Sequence, residues 1–271
     1  MSLHQFFLDD QVLADETEAS FTLRLSREDA KHARVLRLEA GEHPLAVVDA
    51  SSDYFECEIV GFDGDLPVAR IARHVEAPET GPAVMLVQGL AKGDKMETVI
   101  RQGTEIGVAA FVPLRCERSI MKIDEKKVAS KLTRWRSIAR SAAMQAGRLS
   151  VPKVTEPAGI DDLSALLRDA TALLVCWEEA PGTALIVDAL EAALAATDTT
   201  VPADARVAVV VGPEGGLSAG EVERLLALNP RSALVSLGSS ILRTETAGVI
   251  APALTLYELG ALGGRARSRR A

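Results

Sequence analysis

At 271 residues, with 48% hydrophobic and 4% aromatic content and a net charge of −8, the chain is long enough for two domains, each with a core of Ala, Val, Leu and Ile. Three widely spaced cysteines with no C-x-x-C pair support neither a disulfide framework nor a zinc site, and four scattered histidines also argue against a metal. With no charged-then-apolar leader and no apolar run near the ~18 residues of a membrane span, a cytoplasmic protein without metal or membrane partner is expected.

Residues 1 to about 75 read as short strands. Phe21 to Leu25 alternates with period two, and Ser26 with Asp29 forms a capping pattern for a helix running to about Leu38. Leu45–Val48, Tyr54–Val60 and Val68–Ala72 look like further strands, parted by turn residues at 49–53 and 63–65. That spacing suggests a small barrel over residues 1–76. Ala77 to Pro82 is the linker candidate, and a second domain spans 83–271.

There the period changes. Ala83–Gln88 is a buried-strand run, Glu97–Ile106 is helical, and Gly107 stands where a C-cap belongs. Ala109–Pro113 is the next strand and Asp124–Gly147 a long basic helix with Trp135 and Ile138 on one face. Three more strands follow, at Ala172–Cys176, Val207–Val211 and Ala233–Leu237, with helical patterns between them. Ser218 and Glu221 form a capping box, and Val249–Tyr257 closes the order as a helix. Alternating strands and helices predict an α/β fold, a parallel sheet with helices on both faces. Gly260 to Ala271, with Arg265, Arg267, Arg269 and Arg270, reads as a frayed basic tail.

Charge is unevenly placed. Arg115 to Arg148 holds ten Lys/Arg against three Asp/Glu, whereas Thr155 to Ala205 holds one against ten. Arg24, Arg27, Lys31, Arg34 and Arg37 form a second basic cluster. An acidic protein with basic faces keeps a polyanion partner open through its local field. The plainer account is a set of solvated helix faces.

Two stretches have the layout of ligand loops at strand ends. Gly212-Pro213-Glu214-Gly215-Gly216 follows a buried strand and precedes a capped helix. It is neither a dinucleotide fingerprint nor a phosphate loop, and an ordinary turn explains it equally well. Leu237-Gly238-Ser239-Ser240-Ile241-Leu242-Arg243-Thr244-Glu245-Thr246-Ala247 carries one charge of each sign in a loop expected to be buried. Arg243 and Glu245 are then either a structural ion pair or groups in use, and the two accounts are compatible. Lys92, Lys95 and Arg101 either line an anionic groove or belong to a solvated helix start, with Glu105 placed to pair with Arg101.

Taken together, these two stretches resemble the paired signatures of the RsmE-type methyltransferases of the SPOUT superfamily. His32–Gly41 with Arg34-Val35-Leu36-Arg37, Lys92–Glu97, Thr104–Gly107, Glu117-Arg118 and Gln145–Pro152 fall in order where that family has its other motifs. The resemblance implies a trefoil-knotted C-terminal domain, an N-terminal PUA-like β-barrel and a homodimer. It also implies methylation of uridine N3 in 16S ribosomal RNA, within the 30S subunit or its precursor. S-adenosylmethionine would be held at Gly212, Gly216, Leu237, Gly238, Ile241, Leu242 and Thr246, with a loop beginning at Trp177 closing over it. RNA contacts would fall on Arg34, Arg37, Lys92, Lys95, Arg101, Arg118 and Arg148. Arg243 would stabilise charge on a uracil oxygen, and Glu245 would orient Arg243 or help accept the proton. The family's usual arginines before the opening Phe-Phe and before Ile241 are here Gln5 and Ser240, and a usual glutamate is Met144. A non-catalytic RNA-binding factor and a ribose 2′-hydroxyl methyltransferase are the rival readings.

Overall fold

The structure, a computed structural model, describes residues 3–41, 44–75, 81–121, 124–179, 184–197 and 202–262. By contact the chain divides into two units, Met1–Glu79 with Ala143–Val151, and Thr80–Ala142 with Pro152–Ala271. Residues 143–151, assigned from sequence to the second domain, therefore group with the first unit. Most of the expected linker, and the basic tail beyond Leu262, lie outside the described residues.

The first unit contains β1 (His4–Phe7), β2 (Phe21–Thr22), α1 (Arg27–Val35), β3 (Pro44–Val48), β4 (Tyr54–Asp63) and β5 (Leu66–Val75). Its five strands form one sheet in the order β1-β3-β4-β5-β2, with β1 parallel to β3 and the other pairs antiparallel. The core is Phe6, Leu23, Leu45, Val47, Cys57 and Ala69, with Phe21 and Ile59 beside them. Sequence alternation predicts a longer β2. The Leu23 N–H still donates to Pro67, but the Leu25 N–H turns back to Leu23, and that turn ends the ladder at the helix cap. Ser26 caps α1 by accepting from the Asp29 N–H at 3.0 Å. The helix stops short of Leu38 because Arg37 adopts φ +51°, the left-handed geometry that ends helices.

The second unit is built from β6 (Ala83–Gly89), α2 (Lys95–Ile106), β7 (Ala110–Leu114), α3 (Glu125–Gln145), β8 (Lys153–Val154), α4 (Ser164–Leu167), β9 (Ala172–Cys176), α5 (Ile186–Ala196), β10 (Arg206–Val211), α6 (Ala219–Leu226), β11 (Ser232–Val235) and α7 (Thr244–Glu258). The last three residues of α3 count with the first unit. All strand pairs are parallel, in the order β11-β9-β10-β6-β7-β8. On one face Val87, Val175, Ala208 and Val210 pack with Leu167 of α4 and Val222 and Leu225 of α6. α7 lies against β6, β10 and α2. The expected C-cap is present, with Gly107 left-handed at φ +108°.

Two boundaries near the C-terminus move inward. β11 ends at Val235, where the Ser236 hydroxyl accepts from the Gly238 N–H at 3.2 Å and turns the chain. α7 begins five residues before Val249. Arg243 is an extended N-cap, and Glu245 in the first turn complements the positive end of the helix dipole. Thr244 and Glu245, read from sequence as loop, are thus the opening turn of a helix.

Candidate active site

Register aligns the strand ends. Gln88 of β6 pairs across with Val211 of β10, Val211 with Cys176 of β9, and Cys176 with Val235 of β11. One row therefore crosses four neighbouring strands, and the loops after it all leave the same edge of the sheet. β6 connects onward to β7, while β10 connects over β9 to β11. The two connections diverge between β6 and β10, and such a switch point opens a crevice at the carboxyl ends of strands.

A cleft of about 450 Å³ lies at that edge. Its walls include Trp177 and Glu178 after β9, Gly212 to Glu214 and Gly216 after β10, Ser236 to Thr244 after β11, and Lys95. The volume falls within the roughly 300–1,000 Å³ of small-molecule sites. Of the residues expected to hold a cofactor, Gly212, Gly216, Leu237, Gly238, Ile241 and Leu242 all line it. Thr246 does not. It is exposed on the first turn of α7, while Thr244 and Ala247 line the cleft. Ile241, one of the lining residues, is 86% exposed. Cys176 is buried at the end of its strand, and burial pushes its thiol up to about 12, so it is neutral.

The loops are tied together beneath the cleft. Gln88, only 1% exposed, donates through Nε2 to the Thr244 hydroxyl at 2.8 Å. That hydroxyl donates to the Gly212 carbonyl at 2.6 Å. Gly89 has no room for a side chain: a Cβ there would press on the backbone of Pro213 and Gly212. Gly216 has φ +69°, and a Cβ on it would run into the Glu178 carboxylate. The loop after β9 is clasped from both sides. Trp177 Nε1 donates to the Leu217 carbonyl at 3.2 Å. Arg118 donates to Glu179 at 3.3 Å and to the Gly215 and Leu217 carbonyls at 3.4 Å.

Charge at the cleft is arranged around Lys95. Its ammonium lies 3.1 Å from Glu214 Oε1 and 3.2 Å from Glu245 Oε2. Glu214 Oε1 also accepts from the Lys92 N–H at 2.9 Å. The Arg243–Glu245 ion pair considered from sequence is not formed; Glu245 turns to Lys95, which a reading limited to neighbours in sequence does not reach. Arg243 is exposed on the cleft wall and has no partner among the described residues. Arg101 and Glu105 are both exposed and do not pair.

The basic residues expected to meet RNA divide by environment. In the second unit Arg101 and Lys92 are exposed, Lys95 is taken up by two carboxylates, and Arg118 serves as the clasp. Part of the α3 charge is spent inside the unit: Arg134 grips Glu97 at 2.6 Å and Arg136 donates to the Val154 carbonyl. In the first unit Arg34 pairs with Asp65 at 2.8 Å and Arg37 is exposed. Arg148 is half-buried and burial lowers its pKa; its carbonyl accepts from Gln5 at 2.5 Å. Gln5 is buried, and Met144 packs with Phe7, Val48 and Ala143, so both departures from the family pattern have structural work in this unit.

Sequence reasoning missed Gln88, Glu178 and the Lys95–Glu214 bridge. Each is visible only once the register aligns the strand ends.

A family profile described as an RNA methyltransferase domain matches residues 78–256. The ribosomal RNA small subunit methyltransferase E of Bacillus subtilis is 32% identical over 97% of this chain and 99% of its own length. A methyltransferase-E crystal structure from Neisseria gonorrhoeae, bound to S-adenosylmethionine, superposes with TM-score 0.75 at 24% identity, covering 94% of this chain and 97% of that one. A Legionella pneumophila structure in complex with the same cofactor gives TM-score 0.72 at 26% identity, covering 94% and 98%.

Proposed function

The chain belongs to the ribosomal RNA small subunit methyltransferase E family, and from that premise we propose that it transfers a methyl group from S-adenosylmethionine to N3 of a uridine in 16S ribosomal RNA. One observation carries the reading: two glycine loops from separate strand ends, Gly212–Gly216 and Leu237–Leu242, converge on a single cleft beside Arg243, which has no partner among the described residues. The residues fit the cofactor. Gly212, Gly216 and Gly238 offer backbone without side chains, and Leu237, Ile241 and Leu242 offer apolar surface. Glu178 puts a carboxylate in a cleft that would take a cation, while Glu214 there is bridged to Lys95. When bound, the cofactor supplies an electrophilic methyl on a sulfonium.

The uridine N3 carries a proton at neutral pH. N3 has to give that proton to solvent water for its electron pair to take the methyl, and the pair of the former sulfur–methyl bond would stay on sulfur. Loss of that proton spreads negative charge over the uracil oxygens, and bonding to the methyl discharges it. Arg243 supplies a fixed cation for that charge. Glu245, held by Lys95, acts on the start of α7 rather than on the base.

The finer fold assignment belongs to the same proposal. From β11 at the sheet edge the chain passes residues 236–243 along the cleft and returns as α7 against β6 and β10, and this passage supports the trefoil knot. The five-stranded first unit, with Arg34 and Arg37 exposed at the end of α1, supports a PUA-like RNA-binding domain. Ile250, Leu254 and Tyr257, exposed along α7 at helical spacing, support a homodimer. Among the described residues no helix is long and apolar enough to cross a membrane, which accords with a cytoplasmic ribosomal substrate.

Arg243→Ala is the test. The variant should bind S-adenosylmethionine normally by calorimetry and methylate small-subunit RNA about 10²–10³-fold more slowly. Mass-spectrometric mapping of the wild-type product should place the methyl on a uracil base. A methyl on ribose would replace this reading with 2′-hydroxyl chemistry, and no heat of cofactor binding would replace it with a non-catalytic RNA-binding role.

A further inference from the structure

We infer that Lys95 is a positioning residue that holds the Glu245 carboxylate away from Arg243, so that the guanidinium enters the cleft unpaired. The inference rests on the reading of Arg243 as the group that meets the uracil.

Arg243 and Glu245 stand two residues apart at the start of α7. A cation is poorly placed at that positive end of a helix, and a nearby carboxylate is its natural counter-ion. Glu245 is nevertheless turned to Lys95, 3.2 Å away, with 21% of the carboxylate side chain and 28% of the lysine exposed. Lys95 reaches Glu214 at the same time, at 3.1 Å, so one ammonium faces a carboxylate from the loop after β10 and one from the first turn of α7. It opens α2, whose Met96, Val99 and Ile100 are buried, so its backbone is anchored independently of the ion pairs.

The consequence is a division of charge. Two carboxylates meet one cation on one side, and Arg243 is left exposed on the cleft wall, without a partner among the described residues. An arginine already paired with a carboxylate would meet developing negative charge with its own charge largely offset. Removing the Lys95 ammonium frees Glu245, and Arg243 is then the cation that carboxylate can turn to. Glu214 is still held by the Lys92 N–H at 2.9 Å. Glu245 is therefore the carboxylate that quenches Arg243.

The experiment compares single-turnover methylation rate and calorimetric cofactor affinity in four variants. Lys95→Met should slow methylation roughly tenfold while cofactor affinity changes less than about threefold. Lys95→Arg should keep most of the rate. The double variant Lys95→Met/Glu245→Gln should recover most of the rate lost by Lys95→Met, because no freed carboxylate remains; a purely structural role for Lys95 gives no such recovery. A wild-type rate in Lys95→Met, or a double variant no faster than Lys95→Met, overturns the inference. Arg243→Ala separates the two levels: if it is slow while Lys95→Met is normal, only this inference falls; if it is normal, the reading of Arg243 falls first.

Discussion

Gln88 and Thr244, 156 positions apart, meet in a 2.8 Å hydrogen bond beneath the two glycine loops. The Thr244 hydroxyl in turn donates a hydrogen bond to the Gly212 carbonyl, 2.6 Å away. One hydroxyl therefore joins the end of β6, the loop after β10 and the first turn of α7. Thr244→Val keeps the shape and removes the hydroxyl. The buried Gln88 amide and the Gly212 carbonyl both lose a partner, and stability should fall by about 1–3 kcal/mol. Urea unfolding measures it, and a change below about 0.5 kcal/mol would refute the role given to this hydroxyl.

Gly89→Ala and Gly216→Ala should fail differently. At Gly89 the added methyl lies 2.6 Å from Pro213 Cδ and 2.7 Å from the Gly212 carbonyl carbon. Backbone has to shift, so a loss of about 1–3 kcal/mol is expected together with weaker cofactor binding. At Gly216 the obstacle is the far end of the Glu178 side chain, which can swing aside. What stays is the positive φ, worth roughly 1–2 kcal/mol. Gly216→Ala combined with Glu178→Ala should therefore recover little stability. Full recovery would show that the contact, not the backbone, decides.

The Lys95 bridge fixes a pH window. Donation to the Glu214 carboxylate, and then to that of Glu245, holds the Lys95 ammonium above its ordinary 10.5. Burial pushes the Glu214 carboxyl up, but the Lys92 N–H, its own N–H and Lys95 outweigh it and leave the pKa below the ordinary 4.5. A raised lysine contributes fully below 10.5 and fades as pH rises through its folded value. A lowered carboxylate contributes above 4.5 and fades as pH falls through its folded value. The contribution of the bridge to stability should be flat between those limits. A midpoint-against-pH curve for wild type minus Glu214→Gln checks it, and a bend near neutral pH would contradict the assignment.

Glu221 should outweigh Ser218, although both belong to one capping box. The Ser218 hydroxyl accepts a single bond, from the Glu221 N–H at 3.2 Å, and Ser218→Ala should cost about 1 kcal/mol. The Glu221 carboxylate accepts from the Ser218 N–H at 2.9 Å and also from the Glu117 N–H at 2.8 Å, and it is 1% exposed. Glu221→Ala leaves two backbone donors unpaired, so roughly 2–5 kcal/mol is expected by denaturant titration. Equal losses in the two variants would contradict this ranking.

That pair also marks how far sequence reaches. The Ser218 box, the Gly107 cap and the strand Ala172–Cys176 depend on neighbours, and local pattern finds them. The Glu117 bond to Glu221 crosses 104 positions, and no periodicity encodes it. The cleft divides in the same way. Both glycine loops were readable because turns at strand ends need particular residues. The true partner of Glu245 was not, because Lys95 lies 150 positions away and is brought near by the packing of α7 against α2 and β6. Thr246 was placed in the cleft on motif alone; helical phase at the start of α7 puts Thr244 and Ala247 there instead.

The cleft is lined by residues 236–244 and Ala247, which lie more than 140 positions after Lys95, another of its lining residues. During synthesis from the N-terminus, a nascent chain that ends before β11 lacks these residues, and on the proposed reading it has no complete donor site. Under the proposal, donor binding would report completed folding, with α7 against β6, and a ligand bound there would stabilise the finished chain and not its precursors.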